Sequence, residues 1–150
     1  MEQIRRNIET IDARGTQVQI NLGLAPYDRD VNPLIPQYHD QTENLIERYL
    51  LFLQTMHTKK PIQLRILFEF NIGPGTDIAY GNGNYGFSGN EHKEQFLSIY
   101  RLFARKKMEL GLTSIQLLWC ISAKNTNFDE YFPGFFAVDP ITGKNYRLVS

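Results

Sequence analysis

Cysteine occurs once in the 150 residues, at Cys120, so no intrachain disulfide can staple this fold. Histidine occurs only at His39, His57 and His92, too scattered to make a ligand motif, and no metal site is readable. An excess of one charge is missing as well: 16 basic residues balance 16 acidic ones, which leaves no electrostatic footprint for nucleic acid or an anionic membrane surface. No apolar run approaches the length that spans a bilayer. The start, with Glu2, Arg5, Arg6 and Glu9, is charged and lacks the apolar stretch of a secretory signal. What remains is a chain of ordinary composition, 42% hydrophobic and 13% aromatic, enough for one core and one domain over residues 1–150.

The apolar pattern changes period along the chain. Ile4, Ile8 and Ile11 recur at helical spacing, with Gly15 as a stop, and predict a helix over 2–13. In QVQINLGL, Val18, Ile20, Leu22 and Leu24 alternate with Gln17, Gln19, Asn21 and Gly23, the signature of a strand. A loop with Pro26, Asp28, Asp30, Pro33 and Pro36 follows, and then Asp40 and Glu43 read as a capping box for a helix reaching about His57. Its expected buried stripe is Leu45, Tyr49, Phe52, Leu53 and Met56. IQLRILFEF, residues 62–70, predicts a second strand, Phe96 to Phe103 a helix ending at Gly111, and SIQLLWCIS a third strand. A short fourth strand is expected at about 135–139. On the helix before the third strand, Arg101, Arg105, Lys106 and Lys107 read as a solvated face.

Helix and strand alternate, which implies an α/β fold with a parallel sheet. Parallel strands covered on both sides read as near-continuous apolar runs. Here each strand keeps a second face with Gln, Asn, Arg or Glu, which fits a barrel interior whose helices cover only the outside. The expectation is therefore a partial (β/α)₈ TIM barrel, about strands three to six of eight. A complete barrel takes about 250 residues. The chain reads as a fragment or the middle of a larger domain.

In the glycine-rich stretch after the second strand, Gly81, Gly83 and Gly86 show the spacing G-x-G-x-x-G. A dinucleotide fingerprint needs its first glycine directly after a strand; Gly81 lies ten positions beyond Asn71. No cofactor is expected. The loop reads instead as a surface loop or, because function sits on loops at strand C-termini in a barrel, as a substrate loop. Tyr80, Tyr85 and Phe87 supply flat rings that can stack on a sugar.

Glu69 lies on the polar face near the end of a strand of Ile, Leu and Phe, and a carboxyl flanked by Phe68 and Phe70 is pushed toward its neutral form by desolvation. That suits a general acid; the alternative is a carboxylate paired with a barrel-interior Arg. Arg65 shares its face but stands about 13 Å lower along the strand, at ~3.3 Å per residue. Trp119 falls on the helix-facing side with Leu117 and Ile121, which favours a core role, and Cys120 on the opposite face reads as a small filler.

LRILFEFN, FLSIYRLFARKKMELG, SIQLLWCIS and YFPGFFAVD, in this order and spacing, resemble successive parts of the bacterial β-mannanases of glycoside hydrolase family 26. The resemblance covers about residues 60–139. In that family an R-x-x-H-E-x-N run ends the fourth barrel strand and its Glu is the acid/base; a later Y-Y-P-G-x-x-x-V-D run leads into the sixth. The resemblance implies that Glu69 is the acid/base, with Arg65 and Asn71 at matching positions, and that Tyr131, Pro133, Gly134, Val138 and Asp139 match the later run. Phe68 stands where the pattern has His, and the Trp that often follows Asn71 is absent. The implied nucleophile is a Glu ending the seventh strand, beyond the point where this sequence stops. Asp28 and Asp139 are the alternatives within it, each expected to be structural.

The resemblance implies hydrolysis of a β-linked polysaccharide such as mannan by a retaining mechanism of two carboxyl groups about 5–5.5 Å apart. Glu69 is expected to carry the catalysis, with Asn71, Tyr85 and Arg65 expected to bind substrate. Two rivals stay open: a non-catalytic carbohydrate-binding or pseudoenzyme module, and an open α/β domain that binds a nucleotide. The expected partner is a polysaccharide or oligosaccharide, with no nucleic acid and no membrane, and exposed barrel edges predict self-association. The resemblance suggests a secreted or cell-surface protein.

Overall fold

In the computed structural model of the chain, the described residues are 1–22, 39–66, 93–120, 129 and 132–149, the side chains of 39–41 and 93–96 excepted. Helix α1, Glu2–Ala13, precedes strand β1, Gln19–Leu22; helix α2, His39–Gln54, precedes β2, Ile62–Ile66; helix α3, Lys93–Glu109, precedes β3, Ile115–Leu118. A hairpin of β4, Phe136–Val138, and β5, Asn145–Arg147, follows.

The three strands form one parallel sheet in the order β1-β2-β3. Side chains alternate across a strand, and the alternation decides how the sheet is covered. Ile62, Leu64 and Ile66 of β2 and Ile115 and Leu117 of β3 are buried in one cluster with Ile46, Leu50 and Leu53 of α2 and Leu97, Ile99, Tyr100, Phe103 and Ala104 of α3. Both helices thus lie on the same face of the sheet. The other face carries Gln19 and Asn21, exposed, and Gln63, Arg65 and Gln116, half-buried, with no helix over it among the described residues. A doubly wound sheet places helices on both faces; here the described helices lie on one, as in a barrel wall. The described sheet has three strands and closes no barrel.

The expected α/β alternation and the polar strand face are both present, and several details differ. Of the stripe expected for α2, Leu53 and Met56 are buried, but its first half is displaced by one residue: Leu45 is 57% exposed, whereas Ile46 and Leu50 are fully buried. Leu45 and Ile46 both fit a helical period, and only the tilt of the helix on the sheet chooses between them. The helix begins at His39, so Asp40 lies inside it and not at a cap. Glu43, expected to complete a capping box, turns to α3 instead. α2 ends at Gln54, short of His57, because its last turn tightens: Thr55 N–H donates to Phe52 O at 3.1 Å and Met56 N–H to Leu53 O at 3.0 Å. In α1 Ile8 is buried, whereas Ile4 is exposed. Gly15 and Gly111 stop α1 and α3 with φ of 72° and 64°, a backbone conformation that favours glycine.

The segment expected as a fourth strand of the barrel wall is a strand at 136–138, but it pairs antiparallel with β5 in a separate two-stranded sheet. Asp139 explains the change of direction. Its buried carboxylate accepts the N–H groups of Ile141 at 2.8 Å and Thr142 at 2.9 Å, and its N–H donates to Lys144 O at 2.9 Å. The side chain thus folds the chain back. Tyr146 and Leu148 then pin the hairpin to the core.

Of the expected solvated face, Arg101 is exposed, whereas Arg105, Lys106 and Lys107 are half-buried and not freely solvated. Lys106 Nζ lies 2.7 Å from Glu43, 3.3 Å from Glu47 and 3.3 Å from Glu109, and Arg105 is 3.6 Å from both Glu43 and Glu109. The cluster ties α3 to α2. The hydrogen bond to Lys106 holds the Glu43 carboxyl below its usual range and, despite desolvation, the reciprocal bond raises Lys106. Backbone N–H groups of Thr142 and Ile141 lower Asp139 in the same way, while burial pushes the Tyr49 phenol up to about 12 and raises Tyr100 as well.

These shifts set a pH window. Depressed carboxyls contribute stability that is present above the unfolded values of about 3.9 to 4.3 and is lost as pH falls through the folded ones. Raised phenols and a raised lysine contribute stability that is complete below about pH 10 and is lost as pH rises. Urea midpoints measured from pH 2 to 12 are expected to form a plateau between about pH 5 and 10 and to fall on both sides. A midpoint still constant to pH 12 would contradict the neutral burial of Tyr49 and Tyr100.

Candidate functional site

The polar face of the sheet is organised in rows by the strand register. Gln19, Gln63 and Gln116 stand side by side, and Gln63 Nε2 donates to Gln116 Oε1 at 3.5 Å, a long and weak bond. The next row toward the strand C-termini is Asn21, Arg65 and Leu118. Alternation puts Cys120 on the same face, one row higher. Arg65 reaches up to it, and Nη2–H donates to Cys120 Sγ. The face is thus amide at the bottom and cationic higher up, and a cation among amides offers donors to hydroxyl or carboxylate oxygens.

Of the residues proposed from sequence for substrate or catalysis, Arg65 is described and stands near the end of β2 on this face. Glu69, Asn71 and Tyr85, with the glycine stretch, Phe68, Asp28 and Tyr131, lie outside the described residues. Asp139, the other carboxylate considered, is committed to its own turn. Trp119 sits on the helix side, half-buried against the core, with its ring 5.2 Å from Phe132 at 69° and Phe132 5.0 Å from Phe135 at 74°. This edge-to-face chain carries the aromatic packing from the end of β3 to the hairpin.

Sequence reasoning treated Cys120 as a filler. Its position opposite Leu117 and Trp119 was readable; its meeting with Arg65 was not, because that depends on the register of β3 against β2. Among the described residues, no group of three or more His, Cys, Asp or Glu is placed to hold a metal ion, and no helix is long and apolar enough to cross a membrane.

No family model matches the sequence, and no curated protein matches it. Among solved structures, a GH26 beta-mannanase from Bacteroides ovatus superposes with a TM-score of 0.65 at 19% identity, over 89% of this chain and 42% of that one. The chain thus spans less than half the length of that structure. At such identity the likeness is one of fold: helices and a parallel sheet arranged as in a segment of a GH26 barrel.

Proposed function

We propose that the chain forms part of a glycoside-hydrolase-like (β/α)₈ barrel, about strands three to six of eight, and acts on a β-linked polysaccharide such as mannan by a retaining mechanism. The observation that carries this reading is the polar face of a sheet whose described helices lie on the other, with Arg65 extended toward the strand C-termini. In the run R-x-x-F-E-x-N, Glu69 follows Arg65 by four residues, and Asn71 by six. In a barrel the ends of the strands carry the chemistry. In this reading Glu69 gives a proton to the leaving glycosidic oxygen and later takes one from water, while Arg65, Asn71 and Tyr85 hold the sugar. The glycosyl group rests meanwhile on a second carboxylate.

The test is release of reducing ends from β-mannan, with any missing C-terminal portion restored, by the wild-type protein and by Glu69→Gln. A second reading, a carbohydrate-binding module without turnover, is favoured by one observation: the Asp139 carboxylate is occupied by the hairpin turn and is not free to attack a sugar. Saturable mannan binding with no reducing ends released, with any missing C-terminal portion restored, would decide for that module. Self-association belongs to both readings, because the outer edges of β1 and β3 have no partner strand among the described residues. Sedimentation equilibrium is expected to give a mass that rises with concentration; a constant monomer mass would remove this part.

A further inference from the structure

The β4-β5 hairpin has two faces, and its register sorts them. Ala137 lies opposite Tyr146, and Tyr146 is buried against the core with Leu148. Phe136 lies opposite Arg147 and Val138 opposite Asn145, and all four are exposed. Phe136 is 61% exposed, Val138 60% and Ile141, in the turn between the strands, 89%. Three large apolar side chains thus occupy the outer face and the tip of one projection. Scattered exposed apolar residues are ordinary, but a group of them rimmed by polar residues marks an interaction site.

The exposed charge on the hairpin has one sign. Residues 132–149 contain Lys144 and Arg147 against a single acid, Asp139, whose carboxylate is buried in its turn. The Arg147 guanidinium lies 5.7 Å from the centre of the Phe136 ring, a cation–π contact that leaves its charge uncancelled. On α3, Lys107 is half-buried, and desolvation, with the Arg147 charge acting on it, holds its ammonium below the usual range. The ion pairs of α3 run through Arg105 and Lys106, which also engage Glu109. Among the described residues none is formed by Lys107, Lys144 or Arg147. The charge balance that argued against an anionic membrane is an average over the whole chain, and it hides this local excess.

We propose that the outer face of the hairpin docks on an anionic lipid surface. Phe136, Val138 and Ile141 enter the boundary between headgroups and acyl chains, and Lys144, Arg147 and Lys107 supply the attraction to headgroup charge. Shape favours a flat surface over a peptide. A peptide strand adds along the edge of a sheet and would leave the tip, with Ile141, uncovered. The surface uses no residue of the polar sheet face, and it does not rest on the glycan reading.

The test is co-sedimentation of the full chain with vesicles of phosphatidylcholine alone and of phosphatidylcholine mixed with phosphatidylglycerol. Binding to the mixed vesicles is expected, and it should fall at least tenfold on phosphatidylcholine alone or in about 1 M salt, where the Debye length is about 3 Å. Arg147→Gln and Lys107→Gln are each expected to weaken it about fivefold, the effect of one cation at such a surface. Ile141→Asp should cost about tenfold or more, the order of one large aliphatic side chain left in water. Leu45→Asp, at an exposed apolar residue of α2, should bind as the wild type does.

No binding to mixed vesicles, or equal binding to both kinds at either salt, would overturn the proposal from the wild type alone, whatever the variants do. Hairpin variants that bind undiminished, or a Leu45→Asp protein as weak as Ile141→Asp, would overturn it too. Self-association lost in Ile141→Asp, with no vesicle binding by the wild type, would assign the face to a second copy of the chain instead.

Discussion

With any missing C-terminal portion restored, Glu69→Gln is expected to lower the release of reducing ends from β-mannan by about two to four orders of magnitude, the usual contribution of a positioned general acid–base group. The amide keeps the size of the carboxyl and loses its proton chemistry. Binding, which uses hydroxyl contacts and stacking, is expected to change only a few fold, so the loss falls on kcat more than on KM. The leaving group gives an internal control. A polysaccharide leaves as an alkoxide and needs the proton, whereas a nitrophenolate leaves without help. The defect on an aryl glycoside is therefore expected to be smaller in the glycosylation step. Equal defects on both substrates would assign Glu69 to structure, and an unchanged rate on mannan would remove it from the mechanism.

Phe103→Ala is expected to cost about 3–5 kcal/mol, the range for truncating a buried phenylalanine. Phe103 is 0% exposed, on the face of α3 that packs with Ile99 and Tyr100 against the sheet. Truncation leaves a cavity under the only described helix between β2 and β3. Small domains are stable by about 5–15 kcal/mol, so the loss takes a large share of the total. The thermal midpoint should drop on the order of 10 °C, at roughly 2–4 °C per kcal/mol for a chain of this size. A drop below about 3 °C would mean that the site collapses around the smaller residue or that α3 is not the main cover of the sheet.

The ion cluster between α2 and α3 adds little beside this. Its carboxylates are 33–41% exposed, and pairs at such exposure are screened by water. Its value lies in orientation: Lys106 sees Glu43 and Glu47 together only when the two helices lie side by side. Apolar burial holds the crossovers on the sheet, and the charges select their alignment.

The sequence made the sheet legible because strand alternation is a local signal. Gln19, Gln63 and Gln116 had to share a face with Asn21, Arg65 and Cys120 once each run was read as a strand. It did not make the neighbours legible. The one-residue displacement from Leu45 to Ile46, the antiparallel turn of 136–138, the engagement of Arg105 and Lys106 and the contact of Arg65 with Cys120 all depend on elements distant in sequence. The hairpin shows the limit well. FFAVD carries strand propensity in either setting, and it is the Asp139 carboxylate, capping the N–H groups of Ile141 and Thr142, that turns the chain back. Glu69 is legible as a candidate through its apolar flanks and lies outside the described residues. Cys120 is not legible in this way, because a small residue on a polar face has no pattern of its own.

The proposed function places the sugar over the polar face of the β1-β2-β3 sheet. It is tested most directly by titrating ¹⁵N-labelled Glu69→Gln protein with a β-1,4-linked manno-oligosaccharide and following amide and side-chain shifts. The expected result is a saturable response at Arg65, Cys120 and the residues that follow β2, with α2 and the helix-facing core silent. A response confined to the exposed hairpin residues Phe136, Val138 and Ile141, or none at millimolar sugar, would contradict it.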